Sequence, residues 1–235
     1  MITGMKPGMK SGVDRDRIDL AEGYNTSGSG TVEKGFPGTA DVISPSYIDT
    51  RSPNHIAVDD MYISGLLVVD YGRKQPPAWL GELLSIDENV NVSIFYEKQD
   101  RNRVVRDITY HIGSTGATLR TSGGNQQDSE ILEVTYGDAK FIRRQMQIEG
   151  DDFYYLYIYV SVYSSDAESL KYSLSRIESL LGSMDIMYRR ANFRQEQCFR
   201  ASLPLFINDR DIKGVSRRNV LTSGLASTYP FVSVE

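Results

Sequence analysis

The chain has 235 residues, 40% of them hydrophobic and 24% charged, and a formal net charge of −5. These are values of a globular protein with enough apolar surface for a core, and the acidic balance argues against a dedicated nucleic-acid binder, which needs clustered Lys and Arg. A single cysteine, Cys198, excludes an intrachain disulfide framework, and no apolar run approaches the roughly 20 residues that span a bilayer.

Met1–Gly12 is positively charged but has no apolar stretch behind it, so it is not a signal peptide. The expected location is the cytoplasm, with any membrane contact made through partners. Residues 1–39 read as a flexible leader, rich in Gly, Ser, Asp and Lys and without apolar period. Apolar residues begin to recur at Asp41-Val-Ile-Ser-Pro-Ser-Tyr-Ile, and residues 40–200 are expected to form an α+β domain.

The runs from His55 and from Met61 to Tyr71 read as a strand pair. Pro76 and Pro77 stop the sheet and open a short helix containing Trp79 and Leu80. Val90–Glu97 alternates as a strand, with Val90, Val92, Ile94 and Tyr96 on one side. Two helical patterns follow, one from Asp100 and one over Ser129–Ile148, separated by a Gly/Ser-rich patch at Thr121–Asn125, and together they predict a helical hairpin between strands.

Phe153–Tyr163 is the clearest element. Tyr154, Leu156, Ile158, Val160 and Val162 make one face and Phe153, Tyr155, Tyr157, Tyr159 and Tyr163 the other, which predicts a strand covered on both sides. Ser165-Asp-Ala-Glu168 fits a capping box for a helix carrying Leu170, Leu174, Ile177 and Leu181 and ending at Gly182. A strand at Asp185–Arg190 closes the pattern. The order predicts a mixed or antiparallel sheet of split βαβ type with helices mainly on one face.

The sequence offers no residue to assign as catalytic, cofactor-binding or metal-ligating. No P-loop string exists, and Gly113–Gly116 and Ser27–Gly30 read as plain loops. Asp14–Asp19 fails the calcium loop because an acid stands where glycine is required. Asp59–Asp60 and Asp151–Asp152 read as turn residues rather than acid/base couples, since neighbours on a strand face opposite ways. His55, His111 and Cys198 cannot supply an ordinary zinc site, and His111 falls on the apolar stripe of its helix. A Cys198–His nucleophilic pair has no local signature. The tyrosine face of Phe153–Tyr163 could stack bases, but it carries no Lys or Arg and follows Glu149, Asp151 and Asp152, so packing under helices or against a partner subunit is favoured. From Ile186 onward eight Lys/Arg stand against four acids, so the last fifty residues carry +4 and the remainder −9.

The stretch Phe193-Arg-Gln-Glu-Gln-Cys-Phe-Arg-Ala-Ser-Leu-Pro-Leu205, followed by Arg217-Arg-Asn-Val-Leu-Thr-Ser-Gly-Leu-Ala-Ser-Thr-Tyr-Pro-Phe231, resembles the region of the CagE/TrbE/VirB conjugation ATPases that leads into the motor domain. Asp41–Asp49 and the Trp79-Leu80 helix are similar as well, so the resemblance spans roughly 41–235. It implies the non-catalytic N-terminal domain of a type IV secretion ATPase, with residues 201–235 connecting to an absent motor and the chain a piece of a longer protein. ATP and Mg are expected only for that motor. The implied partners are other secretion components, including inner-membrane proteins, and further copies of the chain. The implied location is the inner face of that membrane, reached through partners. A nucleic-acid-contacting accessory module is the alternative. Leu203, Leu205, Phe206, Tyr229 and Phe231 are expected to expose apolar surface.

Overall fold

The computed structural model describes residues 44–72, 75–121 and 126–230, and the leader expectations, including Asp14–Asp19 and Ser27–Gly30, lie outside them. In chain order the strands are β1 (Ile48–Asp49), β2 (Ile56–Val58), β3 (Met61–Tyr71), β4 (Val90–Lys98), β5 (Phe153–Ser164), β6 (Ile186–Arg190) and β7 (Arg218–Leu221). The helices are α1 (Gly81–Ser85), α2 (Arg101–Thr121), α3 (Gln126–Arg144), α4 (Ala167–Ser183), α5 (Gln195–Ser202), α6 (Arg210–Ser216) and α7 (Thr222–Ser227). A π-helical turn, Gln145–Glu149, extends α3.

All strand pairs are antiparallel. β3 lies between β5 and β6, and β5 lies between β3 and β4. The units β3–α1–β4 and β5–α4–β6 are therefore both split βαβ motifs, each with the other's first strand between its two strands. The sheet order β6–β3–β5–β4 is that of the ferredoxin-like βαββαβ arrangement. Three additions decorate this frame: β1 and β2 beside the start of β3, the α2–α3 hairpin between β4 and β5, and the segment after β6.

One face of the sheet packs on α4 and α1. Leu66, Val68, Leu156, Ile158, Val160 and Val162 meet Leu170, Leu174, Ile177 and Leu181 of α4, with Trp79, Leu80 and Leu83 closing the end. The even-numbered face of β5 is the one predicted to be apolar, because period-2 alternation places those residues on a single side. The cap of α4 sits one residue later than expected: Asp166, not Ser165, accepts the Glu168 and Ser169 amides at 3.0 and 2.8 Å. Asp166 is the better acceptor there, since its carboxylate also meets the positive end of the helix dipole.

The opposite face is not open. Helices α5 and α6 cover it with Cys198, Ala201 and Ile212 over Leu67, Tyr157 and Tyr159. The segment beginning at 201 thus lays a helix on the sheet, and β7 pairs with the first half of β5.

Candidate functional site

The second face is held by contacts between residues far apart in sequence. β2 stops pairing with β3 at Ile63 and β6 begins at Leu66, so the backbone of Gly65 faces a gap between them. Gln195 fills it: its Oε1 accepts the Gly65 N–H at 2.7 Å, while the Ala191 N–H donates to the Gly65 carbonyl at 2.9 Å. Gly65 also lets α5 approach, because a Cβ there would lie 2.3 Å from Cys198 Sγ. A second fork opens where β5 leaves β3 after Tyr159 and takes up β7 at Leu156. The Ser216 hydroxyl sits at this fork and reaches the Val68 carbonyl at 2.6 Å and the Ile158 carbonyl at 3.3 Å. The Gln and Cys of the motif Gln195-Glu-Gln-Cys198 are thus structural residues of the second face.

The tyrosine face of β5 is covered, as favoured from the sequence. Tyr159 is fully buried and donates to Asn208 Oδ1 at 2.8 Å. Burial drives its phenol well above the usual range. Tyr157 donates to Glu97, and burial with that bond pushes its phenol up to about 12. Arg217 lies over the Tyr155 ring and Lys213 over the Tyr157 ring, so both rings already have a partner from this chain.

The basic segment after Ile186 is matched in the same way to the acidic body. Arg190 pairs with Glu178, Lys213 with Glu97 and Arg218 with Asp70. The Lys213 ammonium, with the Tyr157 hydroxyl, holds the Glu97 carboxyl below the usual carboxylate range.

No group of three or more His, Cys, Asp or Glu that could hold a metal occurs among the described residues. Cys198 is buried against Ser161, which is 4.0 Å away, and burial pushes its thiol up to about 12, so it is not poised as a nucleophile. His55 Nδ1 lies 3.1 Å from Ser52 Oγ, and its ring tilts against Tyr62. His111 does not lie in a core: it is exposed on α2, whose long stripe is only half-covered by α3. Asp59, in the β2–β3 turn, accepts the Ser46 and Tyr47 amides and so ties the chain before β1 to that turn, and Asp152 pairs with Lys98 and Arg101. Gly113–Gly116 is not a loop but part of α2, where Gly116 makes room for the Tyr136 ring of α3.

Two features stand out as surfaces. The first is the α2–α3 hairpin, clasped at its base by Arg101, which donates to the carbonyls of Met146 and Gly150. Along α3, Ile131, Val134 and Phe141 follow spacings of three and seven residues and share one side, with Ile148 on the π-turn beyond them, yet each of the four is between 52% and 69% exposed. The second is a cleft of about 720 Å³ where Asp138, Phe141 and Ile142 of α3 face Tyr71, Phe153 and β7. The stripe that sequence periodicity gives this helix, Leu132, Tyr136, Ala139, Ile142 and Met146, is its half-buried to buried side, and the exposed row is a different one. No described helix is long and apolar enough to cross a membrane. The sequence matches no family model and no curated protein.

Proposed function

We propose that the chain is a non-catalytic docking and assembly domain of a conjugative-transfer ATPase of the type IV secretion class, recruiting channel components at the inner face of the membrane. The observation that carries the docking role is the apolar row Ile131, Val134, Phe141 and Ile148, displayed on a hairpin inserted into the sheet domain. A helix with an uncovered apolar stripe at this spacing fits an apolar groove or helix of another protein. The sequence resemblance supplies the conjugation setting. The string that cradles nucleotide phosphates is missing from the sequence, so the chain contributes positioning rather than hydrolysis. The covered tyrosine face and the intramolecular pairing of Arg190, Lys213 and Arg218 favour this over a nucleic-acid module.

The test is retention of detergent-solubilised inner-membrane channel proteins on the immobilised chain. The wild type is expected to retain them, and an Ile131→Ser/Phe141→Ser variant with an unchanged melting curve is expected to lose them. Equal retention by both removes the hairpin from the docking role. ATP hydrolysis by the isolated chain overturns the non-catalytic assignment.

A further inference from the structure

β4 is a long strand with one side unpaired. Two bonds fix the direction of its backbone groups: Tyr163 N–H donates to Asn89 at 3.0 Å and Gln99 N–H donates to Phe153 at 2.9 Å. The odd-numbered residues therefore exchange hydrogen bonds with β5, and the N–H and C=O groups of Val90, Val92, Ile94, Tyr96 and Lys98 point away from the sheet. Among the described residues, no strand pairs with that side.

The other outer strands are blunted. β1 has two residues, β7 has four, and β6 ends in Arg189-Arg190. β4 runs for nine residues in unbroken register with β5, without proline or bulge, and its charges are confined to Glu97 and Lys98 at one end. A regular, β-branched and aromatic edge of this kind is a template for another strand. Tyr96 is 63% exposed. The loop after α5, anchored to β5 by Ser202 on Tyr163 and Asn208 on Tyr159, presents Leu205 and Phe206 to solvent.

The geometry points to a second copy of this chain as the occupant, its β4 adding antiparallel to this one across a two-fold axis at Ile94. The strand is complementary to itself in that register, which keeps the outward-pointing backbone groups opposite each other along its whole length. Ile94 meets Ile94 of the second copy, and Val92 meets Tyr96. On the other face Ser93 meets Phe95, and the Asn91 amide meets the Glu97 carboxylate. Lys98 lies opposite Val90 and diagonal to Glu88 of the second copy, within the reach of cross-strand pairs. No like charges face each other. The apolar side of the sheet continues across the axis through Val90, Val92 and Ile94, all of which already pack on the α4 core. This pairing stands independently of the docking role of α3.

The experiment is amide hydrogen exchange on the full chain across a concentration series, read beside sedimentation equilibrium. A concentration-dependent dimer is expected, with the Val92, Ile94 and Tyr96 amides gaining protection as it forms. The Tyr96→Pro variant removes one outward N–H near the strand end without touching a β4–β5 bond, and it is expected to shift the equilibrium to monomer. A chain that stays monomeric up to its solubility limit overturns the inference. So does a dimer that forms with no added protection at those three amides, or one that persists unchanged in a folded Tyr96→Pro variant.

Discussion

Gly65 and Cys198 touch so closely that a Cβ on Gly65 would sit 2.3 Å from the sulfur and 2.7 Å from the Cys198 Cβ. Both residues are in the interior, where neighbours cannot yield. Gly65→Ala is expected to lower stability by about 1–3 kcal/mol through overpacking, read as a lower urea midpoint at constant slope. Adding Cys198→Ala should return part of that loss, because the two changes share one contact. An unchanged midpoint in Gly65→Ala would show that α5 does not sit where the structure has it.

The gap on β3 makes a second prediction. Gln195→Leu leaves the Gly65 N–H buried without its acceptor, and the expected cost is about 1–3 kcal/mol. Ser216→Ala removes the donor shared by Val68 and Ile158, for which about 1 kcal/mol is expected. Chemical denaturation of the two variants checks both, and a Ser216→Ala variant costing more than Gln195→Leu would reverse the ranking.

Within α2 the two glycines should answer differently. Nothing lies within 4 Å of a Cβ built on Gly113, whereas one on Gly116 meets the Tyr136 ring at 3.2 Å. Gly113→Ala is expected to stabilise the helix by about 0.5–1 kcal/mol. At Gly116 the same change forces the ring to move and should give back that gain. Amide exchange across α2 distinguishes them, since increased protection in both variants would mean that Tyr136 does not pack there.

Alkaline pH tests the burial of the second face. Cys198 is raised from an ordinary 9.0 to about 12 and Tyr157 from 10.0 to about 12, and Tyr159 is raised further by burial. Each folded value exceeds the unfolded one, so the unfolded chain loses these protons first. Their contribution is fully present below pH 9 and is lost as pH rises from 9 toward 12. The melting temperature should fall across this window. Cys198→Ala should move the onset toward 10.0, where the tyrosines begin. A flat profile up to pH 11 would contradict burial of all three groups, since each titrating group contributes about 1.4 kcal/mol per pH unit.

The elements that were legible in the sequence are those whose signal is local. β5 shows its two faces by alternation, and α4 shows its stripe and its end. The split βαβ order follows from the sequence of elements, which leaves the sheet open between mixed and antiparallel pairing. What the sequence hides is partnership over distance. Gln195 and Cys198 read as family motif residues because their partner Gly65 lies 130 residues from Gln195. The Gly/Ser content of Gly113–Gly116 signals a loop, yet tertiary contact with Tyr136 keeps that stretch helical. A periodic stripe marks which residues of α3 share a side, but not whether anything covers them. Nothing local marks Ile131, Val134, Phe141 and Ile148 as a second row of α3 that stays exposed.

The Gln99 amide bonds to the Phe153 carbonyl directly at the foot of the hairpin, so the β4–β5 ladder closes before the inserted helices begin. The frame consequently treats everything between those residues as the tip of one turn. Loop-closure entropy grows only slowly with loop length, so an excursion of this size is thermodynamically inexpensive. Such an arrangement lets the hairpin differ in length and in exposed side chains at little cost to the packing of the sheet. It also makes the hairpin a natural graft site: a type I′ turn joining Gln99 to Phe153 should yield a domain that still folds, and the excised helices could be exchanged for others.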